Sequence, residues 1–216
     1  MESVGPDARR FEAGDRVYVS GNISGAYAQQ TLCAEDSVFS LPQRLTFAQG
    51  AAVWVPYATA HHALFHSAKA LPGETLLVHG ASGGVGSAAV QTGRALGMRV
   101  IGSAGTDKGV QMVRNQGAIA VNHHDPAFAD QIAAATEGRG PDVILEMLAN
   151  VNLAKDLQMI GMRGRIVVIG NRGTIEINPR DGMTKDATVQ GMLLFNASDD
   201  DLARIHAALY AGMDSG

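Results

Sequence analysis

Cysteine is all but missing from this chain. Cys33 stands alone, so no disulfide can close within the chain, and a structural zinc held by four clustered thiolates is excluded. A lone thiol fits a reducing compartment. Strong charge of either sign is also missing. The formal net charge is −4 over 216 residues, which builds no basic field for non-specific nucleic-acid binding. Aromatic residues are scarce at 5%, and no basic stretch interleaves with them, so there is no stacking platform for single-stranded RNA. No apolar run reaches the length that crosses a bilayer, and the first residues lack the charged-then-apolar pattern of a signal peptide. No internal repeat, low-complexity tract or charged tail stands out. The expectation is a cytoplasmic globular protein without a membrane partner, long for one domain and short for two.

Glycine, in contrast, is abundant, with 26 residues gathered at element junctions. The chain changes character near Pro72. Before it, residues 14–19 and 26–32 read as short strands around a turn-rich segment, and residues 46–69 read as helical, with Pro56 expected to divide that run. After it, strands are expected at 74–79, 99–103, 119–122, 142–145, 165–169 and 188–195. Helices are expected at 84–96, 108–115, 126–136, 152–160 and from Ser198, a candidate N-cap, to residue 211. This alternation predicts a parallel sheet wound on both faces, and the six-stranded dinucleotide-binding (Rossmann) order is the commonest such arrangement.

The corner after the first long strand is the most informative stretch. The residues Leu76-Leu77-Val78-His79-Gly80-Ala81-Ser82-Gly83-Gly84-Val85-Gly86 pass from a buried-type strand into a helix through small residues. A helix start leaves N–H groups bare and partially positive, so it receives a phosphate well. Gly83 and Gly84 allow close approach, and Gly86 lets the helix pack on the strand. An ordinary glycine turn is the plain alternative, but the strand–turn–helix context inside a β–α series points to a dinucleotide. The second strand runs into Ala104-Gly105-Thr106 with no acid at its tip. A site for NAD places a carboxylate there. Its absence permits a 2′-phosphate, with Lys108 just beyond, so NADPH is expected over NADH. Asp107 complicates that reading, and a solvated lysine is the plain alternative for Lys108.

Four segments carry a family resemblance: Gly14-Asp15-Arg16-Val17, the glycine corner 78–86, Glu146-Met147-Leu148-Ala149-Asn150-Val151-Asn152-Leu153, and Gly173-Thr174-Ile175-Glu176-Ile177-Asn178-Pro179-Arg180. Together they resemble the zeta-crystallin-like, zinc-free NADPH:quinone oxidoreductases of the medium-chain dehydrogenase/reductase superfamily, over essentially the whole chain. The resemblance implies part of a GroES-like β-rich catalytic domain at 1–50, connecting helices at 51–71, and an NADP-binding Rossmann domain at 72–216. It implies that Ser82, Gly83, Gly84, Val85 and Gly86 cradle the pyrophosphate. Gly105 and Lys108 would lie by the 2′-phosphate with His124 nearby, and Asn152 would follow the fourth strand. Ile169, Gly170, Asn171 and Arg172 would follow the fifth. Met192, Leu193 and Leu194 would pass the nicotinamide on the sixth, and Thr59 would lie near it.

Each residue has a bland alternative. Leu193 and Leu194 read equally as core-strand residues, Asn152 as a helix N-cap, and Arg172 as a solvated loop residue. If His123 and His124 lie on a strand they face opposite sides, so at most one touches the ligand. No catalytic zinc is expected: zinc-binding relatives have cysteine where Val55 stands, and His62 and His66 lack the intervening Glu of the zincin pattern. Gly80-x-Ser82-x-Gly84 superficially matches a hydrolase elbow, but the glycines beyond it fit a dinucleotide better.

The expected activity is hydride or one-electron transfer from NADPH to a quinone or another small electron-poor substrate, with the cofactor carrying the chemistry. No catalytic side chain is identified. The alternatives are a zinc-free enone or enoyl reductase with the same corner, and a non-catalytic nucleotide- or RNA-binding module of the same family. Relatives begin with a longer catalytic domain and continue beyond residue 216, so the resemblance implies a fragment that binds cofactor and turns over poorly. The apolar sixth strand implies a homo-oligomer, dimer or tetramer.

Overall fold

A computed structural model describes residues 1–215 and forms two compact units, Met1–Ala58 with the stretch from Ala197 onward, and Thr59–Asn196. In the first, strands β1 (Val17–Val19) and β2 (Val38–Ser40) pair antiparallel. Helix α1 (Phe47–Ala51) opens with a capping box between Thr46 and Gln49. The C-terminal helix α8 (Asp199–Ser215) belongs to this unit. Its N-terminus is capped as expected, with Ser198 Oγ accepting from Asp201 N at 3.2 Å. Composition alone left α8 with the residues after Pro72. Its buried His206 explains the grouping, because the ring stacks on Phe39 and Trp54 and its Nδ1 lies 2.9 Å from Tyr18 Oη. Burial, then the Arg10 charge, holds His206 down at about 4.

Two expectations for this region fail. Residues 26–32 form no strand and are exposed, because the strand-forming residues there, Tyr27, Thr31 and Leu32, have no partner strand to pack beside. Pro56 does not divide its helix. It sits third in α2 (Trp54–His61), in the first turn, where its missing N–H has no intrahelical partner to lose. After α2 the backbone widens into a π-helical turn over His62–Ser67, where the His62 and His66 rings stack with centroids 4.9 Å apart.

The second unit is the alternating half. Its elements are β3 (Thr75–Val78), α3 (Gly84–Ala95), β4 (Arg99–Ala104), α4 (Asp107–Asn115), β5 (Ile119–Asn122), α5 (Phe128–Ala135), β6 (Val143–Glu146), α6 (Ala149–Met159), β7 (Arg165–Val168), the short α7 (Pro179–Met183) and β8 (Thr188–Gly191). The sheet order is β5-β4-β3-β6-β7-β8, and every pair is parallel. This is the doubly wound dinucleotide-binding order. β3 and β6 are buried along their whole length, as central parallel strands covered on both faces must be. Leu77, Ile101, Val121, Ile144 and Ile166 line one sheet face against Ile132 and Leu157 of the helices. Each such side chain contributes about 1.5–3 kcal/mol relative to exposure.

At the amino end of the sheet, Arg165 Nη2 bonds Glu74 Oε2 at 2.7 Å and Arg165 Nε bonds the Ala68 carbonyl at 2.9 Å. The chain order reverses between β3 and β6, so the crevice at their carboxyl ends is where such sheets take ligands.

Candidate functional site

The glycine corner forms at that crevice. β3 ends at Val78, and Gly80 turns the chain with φ +58°, a left-handed conformation that glycine adopts without strain. Gly83 is the N-cap of α3, and no side chain caps the helix. The amides of Gly84, Val85 and Gly86 therefore have no intrahelical acceptor. Gly83 and Gly84 are exposed, Ser82 and Val85 half-buried and Gly86 buried. A β-carbon at Gly86 would overlap the Gly80 carbonyl and lie 2.7 Å from Ala81 Cα. The sequence-predicted role of Gly86, close helix–strand packing, is thus visible in the backbone. An uncapped, exposed helix start of this kind fits a diphosphate.

At the tip of β4 no carboxylate appears. Thr106 caps α4, its Oγ1 accepting from Gly109 N at 3.1 Å, and Lys108 is exposed on the first turn. Asp107 is exposed as well and lines a groove with Gln111 and Arg114. β5 stops at Asn122, so the strand alternation invoked for His123 and His124 does not apply to them. Both rings come to the β4 tip beside Gly105.

Sequence reasoning missed the centre of the crevice. Glu146, the last residue of β6, is fully buried. Its Oε1 accepts from Leu148 N and, at 3.1 Å, from Asn152 Nδ2, while its carbonyl accepts from Ile169 N and Gly170 N at 2.8 and 3.2 Å. One residue thus turns β6 into α6 and holds the end of β7. One correction follows. α6 begins at Ala149, so Asn152 is not its N-cap, and the Asn152 amide is spent on Glu146. Asn150 reaches the next loop, its Oδ1 accepting from Arg172 N at 2.9 Å. Met147 packs over Gly80, and a β-carbon at Gly170 would overlap the Met147 carbonyl.

Beneath this loop lie His79 and Asp156. His79 Nε2 is 2.8 Å from Asp156 Oδ1 and 3.5 Å from Glu146 Oε2, and Ser103 Oγ is 3.4 Å from His79 Nδ1. Burial pulls the imidazole down, but the Asp156 hydrogen bond and the two carboxylate charges outweigh it, so His79 sits above its ordinary value. Glu146 is pushed up to about 7, chiefly by burial, with His79 opposing and Asp156 reinforcing. Glu146 Oε2 and Asp156 Oδ2 are buried without donors among the described residues. A protonated Glu146 carries no charge into this buried site, the state that burial favours. A sequence signal existed here, an acid closing an otherwise apolar strand, Val143-Ile144-Leu145-Glu146.

The remaining expected residues are more scattered. Ile169 and Gly170 are half-buried at the carboxyl end of β7, with Asn171 and Arg172 exposed beyond them. β8 ends at Gly191, so Met192, Leu193 and Leu194 follow the strand instead of lying on it. Met192 N still bonds the Val168 carbonyl at 3.0 Å before the chain coils at Leu194. Leu194 is buried, but Leu193 is 55% exposed, so its core-strand alternative fails. Thr59 is a buried residue of α2.

His79, Glu146 and Asp156 are the one cluster of metal-type donors among the described residues. They do not fit a catalytic zinc. The imidazole nitrogen already engages Asp156 at hydrogen-bond distance, and burial leaves no open position for substrate.

Residues 84–209 match the family model described as Zinc-binding dehydrogenase. The human quinone oxidoreductase is 49% identical over 217 residues, covering all of this chain and 66% of its own length. The solved quinone oxidoreductase of Escherichia coli complexed with NADPH superposes with a TM-score of 0.84 at 26% identity, over 100% of this chain and 68% of that one. The JamJ enoyl reductase in its apo form superposes with a TM-score of 0.79 at 27% identity, over 98% of this chain and 65% of that one.

Proposed function

The chain belongs to the zinc-binding dehydrogenase family, and from that membership we propose that it is the cofactor-binding part of an NADPH-dependent quinone oxidoreductase. It spans 66% of the length of the human relative, itself a quinone oxidoreductase at 49% identity. The observation that carries the proposal is the uncapped start of α3 beside a β4 tip without a carboxylate, in a chain with that degree of identity.

In this reading the amides of Gly84 and Val85, which have no intrahelical acceptor, bind the pyrophosphate, and Ser82 and Gly83 border it. Gly105, Lys108 and His124 surround the 2′-phosphate. Ile169, Gly170, Asn171 and Arg172 border the crevice along β7, with Asn152 holding the loop opposite through Glu146. Met192, Leu193, Leu194 and Thr59 shape the nicotinamide end. NADPH, when bound, supplies a hydride, and a quinone takes that hydride and a proton to become a hydroquinone. The chain's own task is to bind the cofactor in one orientation and limit water access around it. A quinone is already an electron acceptor, so the mechanism needs no metal, and zinc-free chemistry is part of the proposal. So are a cytoplasmic location, in keeping with the single free Cys33, and a homo-oligomer formed through β8.

Calorimetry with NADPH tests the cofactor, and optical assay of NADPH oxidation tests the acceptor. Binding of NADPH in preference to NADH, with oxidation driven by quinones, is the expected result. Absence of heat with both nucleotides overturns it. The similarity to an enoyl reductase at 27% identity supports a second reading, reduction of α,β-unsaturated carbonyls. Faster oxidation with enones than with quinones would favour that reading.

A further inference from the structure

The two imidazoles that follow β5 converge on a single point. A β-carbon built on Gly105 would lie 2.6 Å from His123 Nε2 and 3.0 Å from His124 Nε2. The ring centroids are 4.5 Å apart with the planes at 77°. Local backbone bonds produce this arrangement. His123 N donates to the Ala104 carbonyl at 3.1 Å, tying the loop to the β4 tip, and His124 N donates to Asn122 Oδ1 at 2.9 Å, which folds the next residue back onto the same side. Both residues are exposed.

Neither ring forms an ion pair among the described residues. On their own loop the nearest acid is Asp125, whose two oxygens are taken by Ala127 N and Gln131 Nε2 at 2.8 Å each. On the neighbouring helix, α4 opens with Asp107 and Lys108. Behind the pair, at the end of β3, lies buried His79. Partial burial, then the charges of His124 and His79, hold His123 below its ordinary value. Two ring nitrogens converging on one half-buried glycine, with no ion-pair partner among the described residues, form a receptor for an anion.

We propose that His123 is a specificity-determining residue: together with His124 it clamps a ribose 2′-phosphate over Gly105, so that preference for the phosphorylated cofactor strengthens as pH falls. The inference rests on the cofactor reading above and adds to it a residue and a regulation. The 2′-phosphate is a monoester whose second ionisation lies near pH 6, so it is largely dianionic near neutrality. Imidazolium donates from both nitrogens, whereas neutral imidazole donates from one. Binding the phosphorylated cofactor therefore draws protons onto the pair, and binding NADH does not.

The test is calorimetric titration of the chain with NADPH and with NADH at about pH 6 and about pH 8, where imidazole changes charge. In the unmodified chain the ratio of NADPH to NADH affinity is expected to rise roughly tenfold on acidification, the scale of a charge-assisted hydrogen bond. In His123→Asn the rise should shrink, and in the His123→Asn/His124→Asn double variant it should disappear, while NADH affinity holds in both. Gly105→Ala, which places a methyl where the ring nitrogens converge, should lower NADPH affinity at both pH values and spare NADH. A rise undiminished in His123→Asn overturns the clamp, as does a flat ratio in an unmodified chain that binds NADH. Failure to bind either cofactor overturns the cofactor reading itself, and the clamp with it.

Discussion

Glu146 concentrates more of this molecule's organisation than any residue expected from the sequence. Its carboxylate holds Leu148 N and Asn152, its carbonyl holds Ile169 and Gly170, and its second oxygen faces His79. The pH consequence has one sign. Glu146 is raised to about 7 from an ordinary 4.5, so the folded chain binds more protons than the unfolded chain between those values, and stability falls as pH rises through that window. His79 is also raised, so its contribution is complete below about pH 6.5 and is lost as pH climbs through its folded value. The two effects add. The urea midpoint should therefore drop between about pH 5 and pH 8, with a loss on the order of 1–3 kcal/mol. Glu146→Gln, which keeps an acceptor for Leu148 N and places an amide toward Asp156, should flatten that slope. A midpoint that rises over the same interval in the unmodified chain would refute the assignment. The acid closing β6 is visible in sequence, but its role is not, because a buried acid is recognised by what surrounds it, and Asp156 stands 77 residues from its partner His79.

At the scale of elements, the alternation after Pro72 was readable because each strand and helix carries its own periodicity and its own glycine breaks. Every strand and helix expected from 74 to 169 is present, with ends shifted by a few residues. Errors cluster where local preference is weak or context decides. The stretch 26–32 has strand-forming residues but no partner, and β8 stops at Gly191, four residues short of expectation. The α3–β3 contact is the element on which the site depends. Gly86→Val would drive a side chain into the Gly80 carbonyl and Ala81. Overpacking of this kind costs about 1–3 kcal/mol, so the melting temperature should fall and NADPH binding should be lost. A control, Gly97→Ala, adds a β-carbon that meets nothing within 4 Å but at φ +82°. It should cost stability through backbone strain alone and leave NADPH affinity intact.

For the molecule as a whole, the exposed sheet edge is the surface through which the proposed association would run. β8 is exposed throughout, with Val189 at 44%, and Leu193 and Phe195 beyond it are 55% and 74% exposed. An unprotected apolar edge favours pairing with another chain. If copies join through β8, Val189→Lys should reduce the mass measured by light scattering to that of one chain, with cofactor affinity unchanged. A mass unaltered by that substitution would place the contact elsewhere. The sequence by itself determined the alternating sheet, the bare start of α3 and the carboxylate-free tip of β4, since each follows from residues adjacent in the chain acting through backbone geometry. Tertiary structure alone decided that His123 and His124 meet over Gly105, that His79 brings Asp156 and Glu146 together, and that α8 belongs with the N-terminal unit. Those facts depend on contacts between segments distant in the chain, whose distances and burial no local pattern encodes.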